Sequence, residues 1–390
     1  MSATIEPLRA GVARPLRVLI LSADFTPQPW SGIGVAVSRQ ARALADLGVD
    51  VDVVVAGLSG RRDAWTSARL HVRDLSSGRF PVDPRRFDRV HVHSLRLADL
   101  ALEMSDRFRI PLVCTVHGWP HLEQPGDRGS ARWSRVQQRL LRDCSHVVFL
   151  SRAECDLGVS LVPDVAGRAS IIGHGVPAPL PAPAARDRRS GPVVFAGRFA
   201  TSKGIHLFTE IAARLLDRRR VSVVIAGGHG DGAGTAAVAR LAARFPSTCL
   251  VPGWLERDDL DALFARASLV LVPSAYEPFG LVALEAMRMG APLLASDRGG
   301  LRDIVVDGSG GRRLDSRDDR VWADAVCEWL DDPEIAASFS RRGPTDVACR
   351  FSQTVAARRL VQEVYRTPAV VGDRAAASPG ERHASVTEAS

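Results

Sequence analysis

The stretch Leu269-Val-Leu-Val-Pro273-Ser-Ala-Tyr-Glu277-Pro-Phe-Gly-Leu-Val-Ala-Leu-Glu285 decides the fold. It opens with a short apolar run ending at Val272, which is typical of a buried strand. The turn that follows holds Glu277-Pro278, and a helical apolar pattern starts near Phe279. A buried strand followed at once by a turn and a helix is the building unit of parallel α/β domains.

The same unit recurs in both directions along the chain. In the first half, the predicted strands are Arg17–Ala23, Val51–Ala56, Arg89–His93, Pro111–Val116, His146–Leu150 and Ala169–Ile172. In the second half they are Pro192–Ala196, Val221–Ala226, Cys249–Val251, Leu269–Val272 and Pro292–Ala295. Helical patterns fall between them, so the fold class is α/β with two doubly wound, Rossmann-like domains and a ligand cleft between them.

A proline-rich segment divides the two halves. Prolines alternate with small residues from Pro177 and arginines follow, so residues 177–190 are predicted to be a linker. The domains are then 1–176 and 191–350, followed by a closing helix over 351–366. The polar stretch 367–390 has the composition of a disordered tail.

Composition restricts the function classes. The chain has 390 residues and a formal charge of +7, carried almost wholly by arginine, yet no nucleic-acid-binding motif accompanies that charge. A mildly basic surface of this kind suits an anionic small ligand. The six dispersed cysteines form no CxxC pair, and no metal or other cofactor is expected. Without a signal peptide or a membrane-length apolar run, the sequence predicts a cytoplasmic protein.

Two loops carry candidate phosphate-binding features. Gly32 and Gly34 lie between the first strand and the first helix, where glycines let backbone amides approach a ligand. A dinucleotide fingerprint is the alternative, but it would need a third glycine where Val37 stands. In the second half, Arg198 and Lys203 follow a strand, and Lys203 is the only lysine of the chain. A guanidinium and a compact ammonium there can neutralise a diphosphate.

The opening stretch supplies the remaining polar groups. Glu277 lies beside the helix start and can accept hydrogen bonds from sugar hydroxyls, and Glu285 can do the same for a ribose. The free amides of Phe279, Gly280 and Leu281 are expected to point into the cleft with the positive end of the helix dipole.

These motifs resemble those of the retaining glycosyltransferases of family 4, the group 1 glycosyl transferases with the GT-B fold and an E-x7-E motif. The likeness runs from about Arg17 to Arg366 and includes the Gly32/Gly34 loop and the Arg198/Lys203 pair. In the family the last helix crosses back onto the first domain, and the 351–366 stretch is similar to it.

The resemblance implies a role for each matching residue. Arg198 and Lys203 would hold the diphosphate of a nucleotide sugar, Glu277 the transferred sugar and Glu285 the ribose. His117 matches a histidine that such enzymes place against the donor sugar, and it joins Arg198, Lys203 and Glu277 as a predicted catalytic residue. The expected reaction is transfer of a glycosyl group, with retention and without a metal, from a UDP-sugar to an acceptor hydroxyl.

The acceptor is expected on the first domain. The candidate lining residues Asp24, Trp30, Trp119, His121 and Glu123 combine acids with tryptophans, which suits a small polyol, an aminocyclitol or a natural product. Alternatively, the basic amphipathic segment 131–143 rests on anionic lipid, which would favour a lipid-linked or envelope acceptor and membrane association. A sugar-nucleotide epimerase and a binding-only protein remain open as other classes.

Overall fold

The computed structural model describes residues 14–25, 32–56, 67–75, 80–124, 128–179, 190–306 and 309–368. Two parallel sheets organise these residues, a seven-stranded one followed by a six-stranded one. We call the part of the chain around the seven-stranded sheet the first domain and the part around the six-stranded sheet the second domain.

The first sheet has the strand order β3-β2-β1-β4-β5-β6-β7. Its strands are β1 (Arg17–Ser22), β2 (Asp50–Val55), β3 (Leu70–Asp74), β4 (Arg89–Val92), β5 (Leu112–Val116), β6 (His146–Phe149) and β7 (Ala169–Ile171). The order reverses between β1 and β4, and the crevice outside such a reversal is where open α/β sheets bind ligands.

The second sheet repeats the same winding, in the order β10-β9-β8-β11-β12-β13. Its strands are β8 (Val193–Arg198), β9 (Val223–Gly228), β10 (Cys249–Gly253), β11 (Leu269–Val272), β12 (Leu293–Ser296) and β13 (Gly311–Leu314). Here the order reverses between β8 and β11. Arg198, the last residue of β8, and the loop after Val272, the last residue of β11, therefore lie at one crevice. The predicted α/β class with two doubly wound domains is confirmed.

Helices cover both faces of each sheet. Those of the first domain are α1 (Gly32–Asp46), α2 (Ala98–Phe108), α3 (Pro120–Glu123), α4 (Arg128–Asp143) and α5 (Arg152–Leu161). Those of the second are α6 (Ile205–Arg218), α7 (Gly232–Arg244), α8 (Arg257–Arg266), α9 (Leu281–Arg288), α10 (Leu301–Ile304), α11 (Asp319–Asp331) and α12 (Pro333–Phe351). Within the described part of the chain, no helix combines the length and apolarity needed to cross a membrane.

The last described residues lie on the first domain. After α12, the helix α13 (Gln353–Arg359) and a π-helical turn (Leu360–Tyr365) pack against α1. Leu360 and Tyr365 are buried in a hydrophobic cluster with Val18 and Leu44 of the first domain. The last described segment therefore holds the two domains together. Residues 180–189 of the predicted linker lie outside the described ones, as does the predicted tail from 369 onward.

Candidate active site

The carboxyl ends of the two sheets face each other, and loops from both make direct contacts. The hydroxyl of Ser151, after β6, donates to the carbonyl of Pro278, after β11, at 2.8 Å. The backbone N–H of Arg152 donates to the carboxylate of Asp303 at 2.6 Å. Loops that follow strands of the two sheets thus meet at one junction between the domains.

Lys203 and Glu277 form the centre of this site on the second domain. The ammonium of Lys203 donates to both carboxylate oxygens of Glu277, at 2.9 and 3.0 Å. The hydroxyl of Ser274 donates to the same carboxylate at 3.1 Å. Glu277 is 9% exposed, so this pairing takes place in a largely dry setting where charges interact more strongly than in bulk water.

The turn that carries Lys203 is fixed by its neighbours. Gly204 has φ 73°, and a Cβ there would lie 1.9 Å from the carbonyl oxygen of Pro273, so only glycine permits the approach of the two loops. The carbonyl of Ser202 accepts from the backbone N–H groups of Ala275 and Tyr276 at 2.9 and 3.0 Å. These bonds set Lys203 opposite the turn that holds Glu277.

The helix start beside Glu277 differs by two residues from the prediction. The helix α9 begins at Leu281, because Gly280 takes the left-handed conformation with φ 109°. No side chain of the described residues caps it, so its first N–H groups stay free for a ligand. The amide of Leu281 belongs to that first turn, whereas the Phe279 side chain is buried, at 4% exposure, in the second domain's core.

Glu285, the second glutamate of the motif, is held by arginines from both domains. Arg39 of α1 donates to its Oε1 at 2.9 Å, and Arg257 of α8 donates to the same oxygen. Burial favours the neutral acid, but the two guanidinium charges outweigh it and hold the pKa of Glu285 below its ordinary value. Glu285 is therefore an ionised acceptor of hydrogen bonds.

Arg198 lies at the cleft between the domains. It ends β8, and its guanidinium is 3.5 Å from the carboxylate of Glu123 on the first domain. Both side chains are about one third exposed, so a stronger anion can take the place of this carboxylate at modest cost.

The glycines of the first-domain loop lie at close contacts. A Cβ at Gly34 would be 3.1 Å from Cβ of Asp24, and one at Gly32 would be 3.8 Å from the side chain of Leu281 on the second domain. The N-terminus of α1 thus lies opposite that of α9, and the two helix starts together present N–H groups to the cleft.

Sequence reasoning missed a buried link between the domains. The hydroxyl of Tyr276 donates to the carboxylate of Glu154, at 3.0 and 3.1 Å, and accepts the backbone N–H of Trp119 at 2.9 Å. Glu154 is 2% exposed, and burial raises its pKa to about 7 despite the hydrogen bond from Tyr276. The neighbour of Glu277 is thereby anchored to the first domain.

His117 belongs to a chain of histidines at the carboxyl edge of the first sheet. Its Nε2 lies 3.0 Å from Nδ1 of His93, and its Nδ1 lies 3.3 Å from Nε2 of His174. Gln40 Nε2 lies 3.2 Å from Nε2 of His93 and donates a hydrogen to it. Nδ1 of His93 then donates to His117, and Nδ1 of His117 donates to His174, so each of these two rings has one donor and one acceptor nitrogen. Burial lowers the pKa of His117 to about 4, so the ring is neutral at physiological pH. His93 and His174 also follow strands, which is the signal that could have found them.

A cavity of about 250 Å³ lies beside His117 on the first domain. Asp24 and Glu123, two predicted acceptor residues, line it. Sequence reasoning missed other lining residues, among them Ser94, Arg96, Gln124, Ser130, Trp133 and Gln137.

Three other acceptor predictions have different outcomes. Trp119 is 1% exposed and packs in the first domain's core, so its prediction as a lining residue is wrong. His121 is exposed on α3 and does not line the cavity. Trp30 lies outside the described residues.

The helix α4 has no apolar face left for lipid. Leu140 and Leu141 are buried in the first domain's core, with Val136 packed against them. Trp133 of the same helix lines the cavity. The amphipathic pattern of 131–143 is therefore explained by packing within the first domain.

Two doubly wound domains meet at their carboxyl edges, with cations, carboxyl groups and helix N-termini at the junction. This arrangement defines a class: α/β enzymes that bind an anionic ligand between domains. Two family models match the chain. "Glycosyl transferases group 1" matches residues 183–346, and "Glycosyltransferase Family 4" matches residues 30–178.

Similar proteins agree with these matches. The glycogen synthase of Mycobacterium tuberculosis is 29% identical, over 87% of this chain and 92% of its own length. The D-inositol 3-phosphate glycosyltransferase of Thermobispora bispora is 29% identical, over 90% and 94%. Among solved structures, Anabaena Alr3699/HepE in complex with UDP and glucose superimposes with a TM-score of 0.73 at 18% identity, covering 90% of this chain and 100% of that one. The chain belongs to the group 1, family 4 glycosyltransferases and is a nucleotide-sugar glycosyltransferase with the GT-B fold.

Proposed function

We propose that the enzyme transfers a glycosyl group, with retention, from a UDP-sugar to a hydroxyl of a small cyclic polyol. The observation that carries the proposal is the convergence of Arg198, Lys203 and Glu277 beside the uncapped start of α9. A diphosphate needs cationic partners as it departs, and a sugar needs a carboxylate that accepts from its hydroxyls.

Each group then has one role. Arg198 and Lys203 stabilise the charge that grows on the leaving diphosphate, and the amides at the start of α9 add to this field. Lys203 also holds Glu277, through both carboxylate oxygens, in the orientation that faces the sugar hydroxyls. Retention and the choice of UDP come from the family resemblance, and the HepE complex with UDP supports the latter.

The transfer itself needs no further group from the protein. The acceptor oxygen bonds to the anomeric carbon on the face from which the diphosphate departs, and the acceptor proton passes to the departing phosphate oxygen. The enzyme's contribution is to place the two reactants and to stabilise the developing charge. His117 is neutral and is held in place by two histidines, and it forms the wall of the cavity against which the donor sugar lies.

The cavity beside His117 is the proposed acceptor site. Ser94, Gln124 and Ser130 offer hydrogen bonds to hydroxyls, and the ring of Trp133 offers an apolar face to a cyclic polyol. Arg96 lies at the rim, where its guanidinium can bind a phosphate on such a polyol. The similarity to D-inositol 3-phosphate glycosyltransferases supports this acceptor class.

The test is donor binding by thermal unfolding with UDP-, GDP-, ADP- and dTDP-sugars. UDP-sugars are expected to raise the melting temperature of the wild type by a few degrees. Lys203→Met and Glu277→Gln are expected to abolish the shift and to lower kcat about 100-fold or more. Arg218→Met, at the exposed far end of the helix after Lys203, is the control.

Either of two results would refute the donor site: no nucleotide sugar stabilises the wild type, or the two substitutions leave the shift intact. With the donor identified, turnover is compared for inositol, inositol 3-phosphate, an aminocyclitol and a maltooligosaccharide. Preference for the maltooligosaccharide would overturn the polyol proposal and leave the donor site standing. The anomeric configuration of the product, read by NMR, tests retention.

A further inference from the structure

Arg39 is a buried cation of the first domain whose side chain contacts the second domain. It lies two turns into α1, 246 residues away from Glu285 in sequence, yet its Nη2 donates to Oε1 of Glu285 at 2.9 Å. The two side chains are 9% and 6% exposed. A buried charge of this kind is costly unless it is paired, so its position calls for an explanation.

The neighbourhood carries an excess of positive charge. Arg39, Arg257 and Arg288 face the carboxylates of Glu285 and Asp261, and Arg288 pairs with Asp261. Within the described part of the chain, Nη1 of Arg39 and Nη2 of Arg257 are buried without a hydrogen-bond partner. Unpaired buried donors beside an excess positive charge favour an anionic, oxygen-rich ligand.

The hydrogen bonds that the described residues make to Glu285 all fall on one of its two oxygens. Both arginines bind Oε1, and no described residue donates to Oε2. A carboxylate held at one oxygen by two guanidinium groups has a fixed orientation, so its other oxygen can accept from a ligand hydroxyl without further ordering.

We infer that Arg39 is a positioning residue for the nucleotide: together with Arg257 it fixes Glu285 so that the free carboxylate oxygen accepts from the ribose. The inference rests on the proposed ribose role of Glu285. It also means that the nucleotide site is complete only when the first domain is docked on the second, because Arg39 belongs to α1.

The charge on Glu285 makes a pH dependence part of the inference. The groups that face it are Arg39 on α1, Arg257 and Asp261 on α8, Arg288 on α9 and, next to Arg39, His174 after β7. Burial lowers the pKa of His174, which therefore stays neutral. With Arg39 removed, burial of Glu285 is opposed by less positive charge, so its pKa rises and it takes up a proton as the pH falls.

The experiment measures UDP affinity by calorimetry at pH 8.0, 7.0, 6.0 and 5.5, with ADP and GDP in parallel. Arg39→Met is expected to weaken binding about tenfold at pH 7, and the ratio of its Kd to that of the wild type is expected to grow as the pH falls. The ratio cancels titration of the nucleotide itself. Arg39→Lys restores the charge, so the ratio of its Kd to that of the wild type is expected to stay constant with pH. Arg42→Met, on the exposed side of the same helix, is the matched control.

Two further variants separate this inference from the proposed function. Glu285→Gln is expected to weaken UDP binding, and Arg39→Met added to it is expected to have little further effect, because both act through one carboxylate. If Glu285→Gln binds UDP as the wild type does, the ribose role fails. If Glu285→Gln weakens binding but Arg39→Met gives a wild-type Kd, a tighter Kd or a flat ratio, the inference about Arg39 is overturned.

Discussion

Glu154 and Glu285 are both buried carboxyl groups, and their surroundings give them opposite protonation preferences. Glu285 has two guanidinium partners, and its pKa is held below the ordinary value. Glu154 has a tyrosine hydroxyl as its hydrogen-bond partner, and burial raises its pKa to about 7. Glu285 is thus an ionised acceptor at the proposed nucleotide site, and Glu154 is a structural group that charges near neutral pH.

Replacement of Glu154 tests this difference. A carboxyl group whose pKa is raised by folding binds more protons in the folded state, so it lowers stability as the pH rises from about 4.5 to 7. Glu154→Gln is expected to remove that loss. Relative to the wild type, its free energy of unfolding should gain up to about 3 kcal/mol between pH 5 and pH 8.

The measurement is urea denaturation of both proteins at several pH values, compared as a difference so that other titrating groups cancel. Tyr276→Phe is the matched control, because it removes the hydroxyl that donates to Glu154 and leaves the carboxyl group in place. A difference between Glu154→Gln and the wild type that stays constant with pH would show that Glu154 titrates normally.

At the residue scale, the sequence can predict that two side chains lie together when both follow strands of the same sheet. Lys203 and Glu277 lie after adjacent strands of one sheet, so their strand-end positions alone placed them together. Arg39 could not be found in this way. Its partner Glu285 is 246 residues away, and only the docking of two domains creates the contact.

At the scale of elements, the prediction missed the edge strands β3 and β13. β3 reads Leu-His-Val-Arg-Asp, with Leu70 as its buried residue, and β13 reads Gly-Arg-Arg-Leu. Inner strands of a parallel sheet are covered on both faces and form apolar runs, whereas these edges are half-buried and polar. Their pairing is supported by side chains of the neighbouring strand, as in the ion pair of Arg73 with Asp52 at 2.7 Å.

The closing helix is an element whose importance can be measured. Leu360 is 3% exposed and lies in the core cluster of the first domain, although the chain reaches it only after crossing the second. Leu360→Ala is expected to lower the free energy of unfolding by about 2 to 5 kcal/mol, because it leaves a cavity at this junction. Chemical denaturation measures the change.

Arg358→Ala, two residues earlier and exposed, is the control and is expected to change stability by less than about 0.5 kcal/mol. Equal effects of the two substitutions would mean that the closing helix does not pack on the first domain in solution. The same pair of variants therefore also tests the described path of the chain's last segment.

At the scale of the whole molecule, one hydrogen-bonded line joins the closing helix to the cleft. The hydroxyl of Tyr365 lies 2.6 Å from Nδ1 of His91, and Gln40 bridges His91 to His93. His93 in turn contacts His117 at the cavity. The imidazoles in this line are buried, so each must be neutral and hydrogen-bonded for the closing segment to keep its place on the first domain.

This line makes the molecule sensitive to acid, with a sign that follows from linkage. Burial lowers the pKa of His91 to about 3 and that of His117 to about 4, and it lowers those of His93 and His174 as well. In the unfolded chain these groups bind protons near pH 6.5. The unfolded state therefore binds more protons below that pH, and stability falls as the pH drops from about 6.5 to 4.

The expected result is a steep loss of stability in that window, up to about 1.4 kcal/mol per pH unit for each buried histidine. His91→Gln should reduce the slope of unfolding free energy against pH by the contribution of one histidine. Urea denaturation between pH 7 and 4.5 measures this slope. Thr115→Val removes the hydroxyl bonded to His91 but no titrating group, so it should lower stability without changing the slope. If His91→Gln leaves the slope unchanged, His91 already carries its proton in the folded enzyme. The assignment of a neutral imidazole to His91 would then be wrong.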